Sequence, residues 1–207
     1  MNNQDYLDQI TASTKPSKIG SGITSIIPPL ALKFIIGGVA LAILIIIFGA
    51  IFGNMGTKSE DIAKQLSVRL KNVSATIEKY NPETKSSQLR QLGSSTNSVL
   101  SDTKRSLDDF LLKKYNYKKP DEKSKMYTDE TAHIEKVNNE LEYARLNAFL
   151  DRYYVRQLLH QIELILSMES DINARTDNTD LINIMNNSAH SLTEIHTKIE
   201  KTAETIK

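Results

Sequence analysis

An all-α chain is the architecture this sequence predicts: one N-terminal transmembrane helix followed by an antiparallel bundle of three or four long amphipathic helices. Three observations carry that expectation. Residues 34–52 are 19 consecutive positions with no charge, no side-chain amide and no hydroxyl. Residues 57–207 contain one glycine, Gly93, and two prolines, Pro82 and Pro120, too few turn-makers for a β-rich domain of 151 residues. Through that same region apolar side chains recur at steps of three and four, the period of one helix face.

At about 1.5 Å per residue, a helix built from the apolar run reaches roughly 28 Å, close to the hydrocarbon thickness of a bilayer. Lipid offers the backbone no hydrogen-bond partners, so the run spans as a helix, read here as residues 34–53. Its apolar core is longer than that of a secretory signal peptide, and no small-residue cleavage pattern follows, so it reads as an uncleaved signal anchor. Residues 1–33 are punctuated by Pro16, Gly20, Gly22, Pro28 and Pro29 and read as a flexible tail. Lys15, Lys18 and Lys33 before the run nearly balance Lys58, Lys64, Arg69 and Lys71 after it, so the positive-inside rule discriminates little. A short tail kept in the cytoplasm makes this a single-pass protein of the cell membrane with its C-terminal domain outside. Gly38, Ala42, Gly49 and Gly53 lie on one stripe of the span, a spacing that lets two copies approach closely, so a homodimer through the span is a candidate.

The first soluble helix is expected to open at a capping box, Thr57 with Glu60, and to bury Ile62, Leu66, Leu70, Val73, Ile77 and Tyr80. Asn81-Pro82 reads as its stop and as the start of the next helix, Asn81 capping and Pro82 in the first helical position. That second helix runs to about Tyr115 with the stripe Leu89, Leu92, Thr96, Val99, Thr103, Leu107, Phe110 and Leu111. The poor helix formers GSSTNS at 93–98 predict a weak or kinked section.

Residues 113–125 read as a linker with six lysines (Lys113, Lys114, Lys118, Lys119, Lys123, Lys125) against two acids. From Ser124 to Arg175 the pattern barely stops: Ile134, Val137, Leu141, Ala144, Ala148, Val155, Leu159, Ile162 and Leu166 share a face interrupted by Asp151. A bend near residues 147–151 would relieve so long a helix, though no proline or glycine enforces one. Arg175 to Thr179 is a turn, with Asn178 or Thr179 capping a last helix that carries Met185, Leu192, Ile195, Ile199, Ala203 and Ile206. The stripes suit a bundle better than a dimeric coiled coil, since no sustained a/d repeat appears.

Charge is divided along the chain. Residues 57–125 hold 15 Lys/Arg against 9 Asp/Glu, a net +6, and residues 126–207 hold 8 against 14, a net −6. A basic hairpin packed beside an acidic one is the simplest reading; an anionic partner for the basic half is the alternative.

The residues that might carry chemistry fall short of a site. With no cysteine, thiolate nucleophiles, zinc–thiolate centres and disulfides are excluded. Glu130-Thr-Ala-His133 has the E-x-x-H spacing of di-iron bundles, but no second copy exists, and solvated surface residues are the plainer reading. His190 with Glu194 and His196 with Glu200 look like surface pairs. There is no nucleophile elbow and no glycine-rich phosphate loop. The lysine-rich linker, with Tyr115, Tyr117 and Tyr127, offers a basic patch for anionic lipid, although a solvated helix–helix loop is the plainer reading. No nucleic-acid partner, cofactor or metal is expected.

The sequence therefore points away from an enzyme and towards a membrane-anchored bundle that works by contact with other proteins, as scaffold, envelope spacer or accessory subunit. A ligand-sensing ectodomain is the alternative, with lipid or metal binding behind it.

Overall fold

The computed structural model describes residues 58–206. The predicted span, its Gly38, Ala42, Gly49 and Gly53 stripe, the tail and Thr57 lie outside the described residues. Within them every regular element is helical: α1 (Ser59–Tyr80), α2 (Ser87–Tyr115), α3 (Lys125–Leu146), α4 (Leu150–Asn173) and α5 (Thr179–Ala203), with a 3-10 turn at Asn81–Glu83. The count is five rather than three or four, because the long pattern after Ser124 divides.

That division is a reversal, not a bend. Ala148 takes a left-handed φ of 64°, its N–H reaches the Arg145 carbonyl at 3.3 Å, and Phe149 N–H reaches the Ala144 carbonyl at 3.0 Å. These are the two bonds of a Schellman cap, built on an alanine where glycine is usual. α4 then returns along α3: Tyr153 and Gln157 both bond Glu140, and Gln161 meets His133. Periodicity could not show this, because a capped stop and a continuing helix carry the same apolar spacing.

The start of α2 also differs from expectation. Asn81-Pro82 forms the 3-10 turn, and Ser86 is the N-cap, its hydroxyl accepting from Leu89 N–H at 3.2 Å. Asn81 is occupied elsewhere: its amide donates to the Arg90 carbonyl and Ser94 Oγ, and the Tyr154 hydroxyl approaches its Oδ1. At the N-terminus of α1, Lys58 occupies the N-cap without a side-chain bond. Asn178 caps α5 as expected, accepting from Leu181 N–H at 3.1 Å.

Helix α2 runs unbroken through residues 93–98. The Ser94 and Thr96 hydroxyls fold back onto the carbonyls of Arg90 and Leu92, and Asn97 bonds Ser74 and Glu78 of α1. Gly93 is buried against Asn81 and Tyr154; a Cβ there would stand 2.2 Å from Asn81 Oδ1. Tertiary contact, not propensity, holds this turn in the helix.

Four helices close a ring in the order α1, α2, α5, α4, each packed on the next, and α3 lies outside in the groove between α1 and α4. Neighbours in the ring are antiparallel. Ser67 bonds Asp108 and Ser74 meets Ser101, so α2 descends as α1 rises. Glu130 meets Gln65 and Arg69 while Asn138 meets Thr76, so α3 rises with α1. One end of the bundle thus gathers the start of α1, the α2–α3 loop and the α4–α5 turn. The other gathers the 3-10 turn, the Ala148 reversal and the end of α5.

The ring encloses an aliphatic core: Leu66, Leu70, Leu89, Leu100, Leu107, Leu111, Ile162, Ile165, Ile172, Leu181, Met185, Leu192 and Ile199 are all fully buried. Most of the predicted stripes are there. Ala148 is exposed in the turn, and Val99, Leu159, Ala203 and Ile206 are half-buried.

Candidate functional site

The six predicted lysines occupy the α2–α3 corner. Lys113 and Lys114 close α2, Lys118, Lys119 and Lys123 lie in the loop, and Lys125 opens α3; all six are exposed. α2 stops at Asn116, whose left-handed φ of 53° suits asparagine. The loop is tied down by Tyr117, whose ring carries the Lys64 ammonium 5.3 Å from its centroid. Burial, with Asp108 nearby, raises the Tyr117 hydroxyl above its ordinary value. At the far side of the loop Asp121 accepts from Lys123 N–H at 3.0 Å, and Ser124 caps α3.

Structure joins only part of this set. Lys118 and Lys119 line an open cleft of about 440 Å³ together with Lys71 of α1 and Lys104 of α2, which their positions in the sequence did not suggest. Asp108 and Asp109 share the cleft, and Lys104 is paired with Asp108. Lys125 pairs with Asp129 at 2.5 Å. Lys113, Lys114, Lys118, Lys119 and Lys123 make no ion pair among the described residues, so the basic half does not meet the acidic half through them.

At the opposite end the α3–α4 reversal carries an exposed aromatic platform that periodicity did not reveal. Tyr143 is 64% exposed and Leu146 70%. Phe149 stands edge-on to Tyr143 at 5.8 Å and to Tyr153 at 6.4 Å between ring centroids. Beside them opens a cleft of about 550 Å³ lined by Ala132, Glu135, Lys136, Asn139 and Glu140 as well as the three aromatics. The available signal was negative: Tyr143, Leu146 and Phe149 fall off the stripe that Leu141, Ala144 and Leu150 define.

Several polar residues of the interior pair with one another. Glu130 is buried rather than solvated; it accepts from Arg69 Nε and Nη2 at 3.0 and 2.8 Å and from Gln65 at 2.7 Å. His133 is half-buried, and burial, with Arg69 nearby, lowers its pKa. His196 is also buried, not a surface residue: Nε2 meets Glu163 at 3.3 Å and Nδ1 meets Glu200 at 3.6 Å. His160, with Nδ1 3.9 Å from the carboxylate, and then the hydrogen-bonded His196 draw Glu163 down to about 2. The outlying pair His190 and Glu194 is exposed, as expected. Among the described residues no histidine bonds a hydroxyl nucleophile, and no group of three or more acidic or imidazole side chains could hold a metal ion.

Glu169 stands apart. It is wholly buried on α4, neither carboxyl oxygen has a hydrogen-bond partner, and the hydroxyl of buried Ser188 on α5 has none either. Burial pushes Glu169 up to about 8; the nearby Ser188 hydroxyl offsets part of the rise without completing a bond of normal geometry.

No family model, no curated protein and no solved structure matches this chain.

Proposed function

We propose that this protein is a single-pass, membrane-anchored helical bundle that acts by protein–protein contact, as a scaffold, spacer or accessory subunit, with the bundle outside the cytoplasm. The observation that supports it is the aromatic platform of Tyr143, Leu146, Phe149 and Tyr153. Large apolar side chains clustered in water mark interaction surfaces, and aromatic residues dominate the energetics of such contacts. The platform sits at the end of the bundle away from Ser59, where the described residues begin. Among the described residues no helix is long and apolar enough to cross a membrane, so the anchor rests on residues 34–53.

The experiment is site-specific photo-crosslinking of the full chain in native membranes, with the probe at exposed Asn139 beside the platform. A discrete adduct that disappears in the Leu146→Ser/Phe149→Ser variant and persists in a Ser106→Ala control is the expected result. An adduct indifferent to the platform variant overturns the assignment of the surface. Carbonate washing tests the anchor in the same preparations: the chain stays with the membrane, and its release removes the single-pass reading.

The cleft beside the platform favours a second reading, a ligand-sensing domain. A small molecule that raises the unfolding midpoint saturably, and loses that effect on Tyr153→Ala, would support sensing over scaffolding.

A further inference from the structure

We infer that the α2–α3 corner is a docking surface for anionic phospholipid headgroups, holding the anchored bundle against the leaflet from which it emerges. The inference rests on the anchor reading and adds to it a lipid class and a set of residues.

The first argument is placement. Ser67 of α1 bonds Asp108 of α2, and the two helices run antiparallel at equal rise, so Tyr115 comes level with the first turn of α1. α3 rises beside α1 from Lys125, with Glu130 level with Gln65 and Arg69. Lys113, Lys114, Lys123 and Lys125 therefore ring the end of the bundle where α1 begins. Lys118 and Lys119 line a cleft with Lys71, which lies about three turns along α1 from Ser59. Five residues lie between Gly53 and Ser59, a reach of at most about 20 Å. With the span in the bilayer, that tether length keeps the start of α1 within reach of the headgroups.

The second argument is charge. Residues 113–125 carry six lysines against Asp121 and Glu122, a local net of +4. Five of the lysines have no acidic partner among the described residues, so contact with an anionic surface breaks no ion pair. The α4–α5 turn reaches the same end but brings Arg175 together with Asp177 and Asp180. The positive surface is therefore one-sided, at the α2–α3 corner. The headgroup field of an anionic leaflet acts over about 10 Å at 0.1 M salt, and each lysine near it is worth about fivefold in affinity.

The third argument is that the loop is held in shape. Lys64 over the Tyr117 ring, the Asn116 stop, the Asp121 bond to Lys123 N–H and the Ser124 cap fix its course. Little ordering cost then falls on lipid contact.

The test uses the full chain in nanodiscs, because the chain has no native cysteine and Glu122→Cys gives one labelling site. A fluorophore there is quenched by headgroup-spin-labelled lipid in discs of phosphatidylcholine alone or with one-third phosphatidylglycerol. Quenching at least threefold greater in the anionic discs is expected. It should fall to the zwitterionic level in 0.5 M NaCl and in the K113Q/K114Q/K118Q/K119Q/K123Q variant. Equal quenching in both discs, or an unaffected variant, overturns the inference while leaving the anchor intact. If the chain fails to enter zwitterionic discs, the anchor reading falls. The lipid inference is then decided by sedimentation with phosphatidylglycerol vesicles at low salt: salt-sensitive, lysine-dependent binding upholds it, and its absence ends it.

Discussion

Single side chains set two of the terms in this bundle's stability. Glu169 has no partner in the core, so its charged form is penalised and its pKa rises to about 8 from an unfolded value near 4.5. Between those values the folded state binds more protons than the unfolded chain, so the contribution of Glu169 to stability is fully present below about pH 4.5 and is lost as pH climbs towards 8. Subtracting the unfolding free energy of Glu169→Gln from that of the native chain at pH 5, 6, 7 and 8 should reveal a decline of up to about 1.4 kcal/mol per pH unit. A flat difference would mean the carboxyl is hydrated after all. Gly93 sets the second term. Alanine at that position is the better helix former, yet its Cβ would enter the space of Asn81 and the Tyr154 hydroxyl, both buried. Gly93→Ala should lower stability by about 2 kcal/mol despite its higher propensity, read from the denaturant midpoint.

At the scale of elements, helix ends hold the topology. The α1–α2 turn is capped from 66 residues away: the Asp151 carboxylate accepts from Lys85 N–H at 2.9 Å and from Ser86 N–H at 2.8 Å. Asp151 had looked like a flaw in an apolar stripe. It is the residue that seats the start of α2 on the first turn of α4, where a negative charge is also favoured by the helix dipole. Asp151→Ala should cost about 2 kcal/mol, and hydrogen exchange should quicken at the Lys85 and Ser86 amides before it does in the core. The Ala148 cap offers the opposite change. A left-handed alanine costs roughly 1 kcal/mol that glycine does not incur, so Ala148→Gly should raise the thermal midpoint by about 2–4 °C. A lowered midpoint would show that the Ala148 methyl packs in the turn.

Across the whole molecule, the +6 and −6 halves pack side by side, α1 on α3 and α4 and α2 on α5, through apolar faces more than through paired charges. In the interior, Arg69 and Glu130 form an ion pair between the two halves, and both side chains are largely shielded from water. Glu130→Ala leaves a buried guanidinium uncompensated and should cost about 3 kcal/mol. Replacing Lys113, Lys114, Lys118 and Lys119 together by glutamate should change stability by less than about 0.5 kcal/mol, because none of them has an acidic partner. Urea midpoints at low and high salt check both expectations. A salt-sensitive loss in the lysine variant would restore the hairpin attraction that the charge totals alone suggested.

What the sequence determined by itself is the helical class, most of the core stripes and the α4–α5 turn with its Asn178 cap. Those features depend on local periodicity and local hydrogen bonding, which a chain displays before it folds. Ile62 to Tyr80 and Leu181 to Ile199 repeat every three or four residues wherever the helix comes to lie. The tertiary structure alone decided the reversal at Ala148, the unbroken course of α2 through Gly93, the capping role of Asp151 and the burial of Glu130, His196 and Glu169. It also decided that Lys71 and Lys104 join Lys118 and Lys119 at one cleft. Each of these depends on which helix lies alongside: the partner that satisfies a carboxylate, or the side chain that excludes a Cβ, is distant in sequence. Periodicity tells which face of a helix turns inward, and only packing tells what that face meets.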